Sequence, residues 1–73
     1  MSGVAAIGER ERVRGFTFAG VHVSTAEDPQ AVREAWQALP ADVAVLILTP
    51  AAHAALEVEL EGRDRLLRVV MPS

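Results

Sequence analysis

Apolar residues recur along the chain in four short segments that predict the strands of a sheet. Residues 4–7 and 43–48 are continuously apolar, as expected for strands covered on both faces. Residues 21–24 alternate apolar and polar side chains, which is typical of a half-buried strand. The fourth segment, 67–71, carries Arg68 in its middle. The pattern therefore predicts two central strands, the first and third, and two edge strands, the second and fourth.

Helical patterns fill the intervals between these segments. Residues 10 to about 19 predict a first helix with Val13 and Phe16 on one side. A third helix is predicted to begin at the cap residue and proline at 49–50, and Gly62 is expected to end it.

The second helix has the clearest pattern. Asp28 suits the N-cap, and Pro29 suits the first turn because the N–H that proline lacks would have no partner there. Apolar residues then recur at i, i+3, i+4 and i+7 from Val32 to Leu39, with Trp36 among them. We therefore expect Trp36 to pack in the core rather than to stack on a cofactor.

The alternation of strands and helices predicts a parallel sheet with right-handed crossovers. With the first and third strands in the centre, the strand order is 2-1-3-4, which is the order of flavodoxin-like (Rossmann-like) domains. We therefore predict one small α/β domain over residues 1–73, with a four-stranded parallel sheet and about three helices. Right-handed crossovers put the first helix on one face and the other two on the opposite face. One face is thus expected to be under-covered near the third and fourth strands.

Composition narrows the class of protein. The 73 residues allow one domain, and a hydrophobic content of 51% excludes a disordered chain. The absence of cysteine excludes disulfides and thiolate metal sites. With 10 acidic and 7 basic residues and a net charge of −3, the chain is not expected to bind nucleic acid. The longest apolar run, 43–48, is far shorter than the ~20 residues that cross a bilayer, so we expect no membrane insertion.

Flavodoxin-like sheets bind ligands beyond the carboxyl ends of the first and third strands. Here those ends supply Gly8, Glu9 and Arg10 after the first strand, and Thr49 and Pro50 after the third. A phospho-accepting receiver domain needs an aspartate where Thr49 stands. A phosphate-binding loop needs glycine spacings, or a lysine, that the chain lacks. The sequence therefore predicts no catalytic residue, no metal ligand and no cofactor site.

The remaining polar residues are interpreted as surface groups. Glu9 and Glu11 stand two apart on a helix and point in different directions, so we interpret them as a solvated first turn rather than as co-ligands. His22 and His53 stand alone, and we expect both at the surface.

The end of the first helix leaves two interpretations of Phe18 open. On an ideal helix Phe18 falls opposite Val13 and Phe16, so either the helix has ended and the ring folds under, or the ring is exposed for a partner. Gly15 is interpreted as allowing close packing of this helix on the sheet. Gly20 is interpreted as a helix-ending residue with positive φ.

These segments also resemble a known family. Residues 5–8 (AAIG), a charged stretch and residues 13–21 (VRGFTFAGV) closely resemble the opening of the F subunit of the V-type/archaeal-type rotary ATPases. The Gly-Phe-x-x-x-Gly block is the specific part of this match. Residues 24–31, 43–49 and 66–73 resemble the family's second-helix start, third strand and fourth strand, so the resemblance covers essentially the whole chain.

The resemblance implies a non-catalytic component of the central rotor. Members of this family dock on the helical-hairpin shaft, the D subunit, and help transmit torque between ATP hydrolysis and ion translocation. The implied location is cytoplasmic and peripheral to the membrane, as part of the ATPase complex. The family's long C-terminal helix has no counterpart in these residues, so we expect a truncated or naturally short form.

Two other classes of function stay open, a small ligand- or nucleotide-binding flavodoxin-like module and, more distantly, an enzyme. We also expect the isolated chain to self-associate through the under-covered face or an edge strand, because exposed edges invite pairing. The candidate docking surface lies on the first helix and at the strand ends. Its residues are Gly8, Glu9, Arg10, Gly15, Phe16, Phe18 and Arg68.

Overall fold

The computed structural model describes residues 3–16, 20–63 and 65–72 of the chain. Its strands are β1 (Gly3–Gly8), β2 (His22–Thr25), β3 (Val43–Leu48) and β4 (Leu67–Val70). They form one parallel sheet in the order β2-β1-β3-β4. The predicted α/β class, the strand order and the central positions of the first and third strands are confirmed.

In the described parts of the chain, four α-helices connect these strands, where about three were predicted. They are α1 (Arg10–Val13), α2 (Pro29–Gln37), α3 (Pro50–Ala55) and α4 (Glu57–Leu60), and a 3₁₀ turn (Arg14–Phe16) follows α1. The first helix is shorter than the predicted span of residues 10 to about 19, because α-helical structure ends at Val13. Residues 17–19 lie outside the described residues, so both interpretations of Phe18 stay open.

The predicted third helix is divided into α3 and α4 at Leu56. The backbone of Leu56 leaves the helical region, with φ −110° and ψ 10°, and its N–H is shared between the carbonyl oxygens of Ala52 and His53. The Leu56 side chain has no exposed surface. The turn thus directs Leu56 into the core, and sequence periodicity alone did not indicate that the helix breaks there.

The helix caps agree with the sequence. Asp28 Oδ1 accepts a hydrogen bond from Ala31 N–H at 2.8 Å, and Pro29 occupies the first turn of α2. Thr49 Oγ1 accepts from Ala52 N–H at 3.4 Å at the start of α3. Both oxygens bond to backbone donors that a helix leaves unpaired at its N-terminus.

One face of the sheet is covered by α2, α3 and α4 except at β4, where Val70 is 43% exposed. Trp36 packs, half-buried, against the core on this face, and the Arg63 guanidinium carbon lies 5.0 Å from the centre of its ring system. This confirms the expected packing role of Trp36. The large side chains on this face with essentially no exposed surface are Ile7, Leu46, Leu48, Leu56 and Leu60.

Among the residues that the structure describes, helical cover of the opposite face comes from α1, which packs beside β1 and β2 and fully buries Val13. The register of β3 and β4 places Leu67 level with Val45 and Val69 level with Ile47 on this face. Leu67 is 61% exposed and Val69 is 45% exposed. The prediction of an under-covered face near the third and fourth strands is therefore confirmed.

Candidate functional site

The carboxyl ends of β1 and β3 lie side by side, at the place where doubly wound sheets bind ligands. The register of the two strands brings Gly8, which ends β1, and Glu9, which follows it, next to Thr49, which follows β3. Arg10 begins α1 at the same edge. We call Gly8, Glu9, Arg10 and Thr49 the carboxyl-edge cluster.

A hydrogen bond between Thr49 and Glu9 joins the two strand ends. Thr49 has no exposed surface, and its hydroxyl donates to Glu9 Oε1 at 2.6 Å. This hydrogen bond is the main cause that lowers the pKa of Glu9 below its ordinary value of 4.5. Desolvation opposes it, while the Glu9 backbone amide and the charge of Arg12 lower this pKa further. Glu9 is therefore an ionised acceptor at neutral pH.

Gly8 allows Thr49 to fill the space between the strand ends. A Cβ atom on Gly8 would lie 2.3 Å from Cγ2 and 2.7 Å from Oγ1 of Thr49, closer than atoms that are not bonded approach. The Gly8 carbonyl oxygen also accepts from Ala26 N–H at 2.9 Å. The crevice between β1 and β3 is thus occupied by the chain's own side chain.

The helix N-termini at this edge are also occupied. Glu27 Oε2 accepts from the backbone N–H of Arg10 at 2.8 Å at the start of α1. Asp28 and Thr49 cap α2 and α3. Phosphate groups bind at helix N-termini through free backbone N–H groups. Because side-chain oxygens hold these donors, the edge is poorly suited to a phosphate.

A depression of about 170 Å³ adjoins the cluster between α2 and the start of α1. Three acidic residues are among those that line it, Glu9, Glu27 and Asp28. Their negative charges repel phosphate groups. The part of the chain that the structure describes contains no group of three or more His, Asp or Glu side chains placed to hold a metal ion.

The other predicted docking residues do not all join the cluster. A Cβ atom on Gly15 would meet nothing within 4 Å, so the interpretation of Gly15 as a close-packing glycine is wrong. The 3₁₀ turn that replaces the end of the predicted helix leaves Gly15 exposed, while Phe16 in the same turn is half-buried. Phe18 lies outside the described residues.

Arg68 lies away from the carboxyl-edge cluster. It stands in β4 on the face covered by α2, α3 and α4, level with Leu46 of β3. Its Nη1 atom donates to the carbonyl oxygen of Leu60 at 2.9 Å, at the end of α4. Arg68 therefore stabilises a helix end, since a cation there interacts favourably with the helix dipole.

The expected surface groups are found at different depths. His22 and Glu11 are exposed, as predicted, while His53 is half-buried. The interpretation of Glu9 as a solvated first-turn residue is wrong, because Glu9 is half-buried and bonded to Thr49. The strand order 2-1-3-4 was the signal that could have found this contact, since it places residues 40 positions apart at neighbouring strand ends.

Fold and site together define a small doubly wound α/β protein whose ligand crevice is filled by its own side chains. The family model described as ATP synthase (F/14-kDa) subunit matches residues 4–72, and the chain belongs to this family. The resemblance to the F subunit of the V/A-type ATPases is thereby confirmed, and the partners that family membership implies are other subunits of the ATPase.

Searches of the curated proteins and of the solved structures gave no match. Within the described ranges, each helix is too short or too polar to cross a bilayer.

Proposed function

We propose that the chain is a non-catalytic central-stalk component of a V/A-type ATPase. In this role it docks on the D subunit, the helical-hairpin shaft, at the cytoplasmic side of the membrane, and helps to couple ATP turnover to ion transport. Membership of the family supports this assignment. The observation that favours docking over ligand binding is the burial of Thr49 between the ends of β1 and β3, where a ligand would otherwise lie.

The docking surface that we propose is α1 with the carboxyl-edge cluster. The side chains of Arg10 and Glu11 are exposed there, and that of Arg14 is exposed in the 3₁₀ turn that follows α1. The hydrogen bonds of Glu9 to Thr49 and of Glu27 to the Arg10 N–H hold the start of α1 in place. A surface held in this way loses little conformational entropy when it binds.

Co-expression with the shaft protein of the same organism's ATPase tests this proposal. We expect the two chains to elute together in size-exclusion chromatography. Arg10→Glu reverses an exposed charge at the proposed surface and should weaken binding at least tenfold. Arg33→Glu, a reversal at an exposed position on α2, is the matched control and should leave binding within twofold. Separate elution of the two unmodified chains would contradict the docking function.

Calorimetric titration with ATP, ADP and FMN tests the alternative of a ligand-binding module. The three carboxylates around the depression oppose phosphate binding, so we expect no micromolar binding of any of the three. Micromolar binding of one of them would favour a ligand-binding function.

A further inference from the structure

The outer edge of β4 is apolar, and within the described ranges no strand pairs with it. All four residues of β4 are exposed, and Leu67, Val69 and Val70 among them are aliphatic. The strand at the other edge of the sheet, β2, has the sequence HVST, in which three of the four side chains are polar. Edge strands that avoid pairing usually carry polar or charged side chains or proline. The outer edge of β4 is therefore the better template for another strand.

Alternate residues of β4 direct their backbone groups to this open edge. Met71 N–H donates to the carbonyl oxygen of Leu48 at 2.7 Å, and the register pairs Leu48 with Val70. In this arrangement Val69 and Met71 bond toward β3, since successive residues of a strand direct their N–H and C=O groups to opposite sides. The N–H and C=O groups of Arg68 and Val70 therefore point away from β3 and lie free at the edge.

These free groups match those of a second copy of the chain in one antiparallel register. A two-fold axis perpendicular to the sheet, at Val69, places Arg68 of each copy opposite Val70 of the other. Each such pair exchanges two N–H···O=C hydrogen bonds, so four hydrogen bonds form. Every backbone group that Arg68 and Val70 present at the edge then has an acceptor or a donor.

The neighbouring antiparallel registers fit less well. An axis at Arg68 would place the two copies of Arg68 directly opposite each other, and like charges at such positions destabilise a sheet. It would also pair Val70 with Leu66, whose N–H already donates to the carbonyl oxygen of Arg63 at 3.2 Å. An axis at Val70 would place Arg68 opposite Pro72, which has no N–H to donate. The axis at Val69 avoids each of these conflicts.

The side chains of β4 are compatible with this pairing. On the face toward α1, Val69 lies opposite Val69 of the second copy, and Leu67 lies opposite Met71 of the second copy. Apolar side chains directly opposite each other stabilise paired strands. On the other face, Arg68 Nη1 donates to the carbonyl oxygen of Leu60 at 2.9 Å, which holds the guanidinium at the end of α4. The charged side chain thus leaves the backbone edge open.

We propose that β4 pairs antiparallel with β4 of a second copy of the chain, about a two-fold axis at Val69, and joins the two sheets into one of eight strands. The inference goes beyond the proposed docking function and does not depend on it. One pair of strand edges buries less surface than the roughly 1,600 Å² of a standard interface, so we expect a weak and reversible dimer.

Analytical ultracentrifugation of the chain from about 10 μM to about 1 mM tests the dimer. We expect the average mass to rise with concentration from that of one chain toward that of two. Val70→Pro removes a donor at the open edge and no hydrogen bond to β3, and proline is tolerated on edge strands at such positions. It should raise the dissociation constant of the dimer at least tenfold. Val70→Thr, which keeps the N–H and the β-branched shape, is the matched control and should leave this constant within twofold. Circular dichroism checks that each variant is folded.

A disulfide tests the register without a change in the backbone, because the chain contains no cysteine. Val69→Cys places two thiols across the axis, at a pair whose Cα atoms lie about 4.5 Å apart, within the range of a disulfide. In Leu67→Cys the two thiols stand four residues apart along the sheet, about 13 Å, and cannot be bridged. Val58→Cys, 77% exposed on α4, reports random collisions. After oxidation with copper phenanthroline in air, we expect the covalent dimer to form at least tenfold faster in Val69→Cys than in the other two variants.

Three results would overturn the inference. The first is the mass of a single chain at every concentration. The second is a dimer that folded Val70→Pro forms as tightly as the unmodified chain, because the contact would then lie elsewhere on the molecule. The third is an equal rate of disulfide formation in Val69→Cys and the two other cysteine variants. These experiments use the chain alone, so docking on the shaft protein stands or fails separately.

Discussion

The two faces of the sheet differ in how completely the chain covers them. Toward α2, α3 and α4, Leu46 and Leu48 have no exposed surface. Toward α1, Leu67 and Val69 are about half exposed. A domain this small buries only about 60% of the surface of its unfolded chain, so it has few helices with which to cover a sheet. The covered face holds most of the buried apolar side chains, whereas the half of the opposite face beside β3 and β4, which we call the bare half, leaves apolar side chains exposed.

The carboxyl ends of the strands show the opposite pattern, because side chains fill a place that is usually open to a ligand. At the carboxyl edge, where doubly wound proteins usually bind ligands, Gly8 and Thr49 pack together and Glu9 accepts a partly buried hydrogen bond. Side chains thus fill the edge at which such folds usually bind ligands. The face beside β3 and β4, which a helix normally covers in such folds, is exposed instead. This arrangement supports the proposed docking function over ligand binding.

The largest effect should come from the covered face. Leu46→Ala removes a fully buried side chain, and such changes cost about 2 to 5 kcal/mol of the free energy of unfolding. Leu67→Ala is the matched change on the bare half. Because Leu67 is 61% exposed, it should cost only about 0.5 to 1 kcal/mol. Urea denaturation of both variants measures the difference.

Equal losses in the free energy of unfolding of Leu46→Ala and Leu67→Ala would contradict the difference between the two faces of the sheet. They would mean that the bare half is covered in the isolated chain in solution. Light scattering of the unmodified chain over a range of concentrations would then show whether self-association, which stays a prediction, supplies the cover.

The next effect tests the packing of Gly8 against Thr49 at the carboxyl edge of the sheet. Gly8→Ala places a Cβ atom 2.3 Å from Thr49 Cγ2 and should lower the free energy of unfolding by about 1 to 3 kcal/mol. Gly15→Ala is the control, since a Cβ atom there meets open space. Combining Gly8→Ala with Thr49→Ser removes the clashing methyl group and should recover part of the loss. A Gly8→Ala variant as stable as the unmodified chain would contradict the close packing at this edge.

A smaller effect is expected from the Thr49 hydroxyl. Thr49→Val keeps the shape of the side chain but removes the donor to Glu9 and the cap of α3. We expect a loss of about 1 to 2 kcal/mol in the free energy of unfolding, because Glu9 is half-buried and can bond to water instead. Thr49→Ser, which keeps the hydroxyl, should lose less. A larger loss in the serine variant would assign the role of Thr49 to its methyl group.

The strand order and the helix starts were predictable from local sequence patterns, whereas the contacts at the candidate site were not. Strand order followed from which strands are apolar on both faces, and the caps followed from Asp28 and Thr49 before prolines. The break at Leu56 arises from tertiary packing, which helical periodicity does not encode. The contact of Glu9 with Thr49 joins residues far apart in sequence, and it depends on register and on the missing side chain of Gly8.

The smallest effect concerns the pH dependence of stability. The pKa of Glu9 is lowered in the folded chain, chiefly by the hydrogen bond from Thr49, whereas its ordinary value of 4.5 applies when the chain unfolds. The stabilisation is therefore fully present above pH 4.5 and is lost as the pH falls through the lower folded pKa. Between pH 7 and the folded pKa of Glu9, the free energy of unfolding should fall less in Glu9→Gln than in the unmodified chain. Glu11→Gln, which removes an exposed charge from the same helix, is the control. A carboxyl NMR titration should show the pKa of Glu9 returning toward its ordinary value in Thr49→Val. An unchanged Glu9 pKa in that variant would mean that Arg12 and the Glu9 backbone amide, rather than the hydrogen bond from Thr49, lower this pKa.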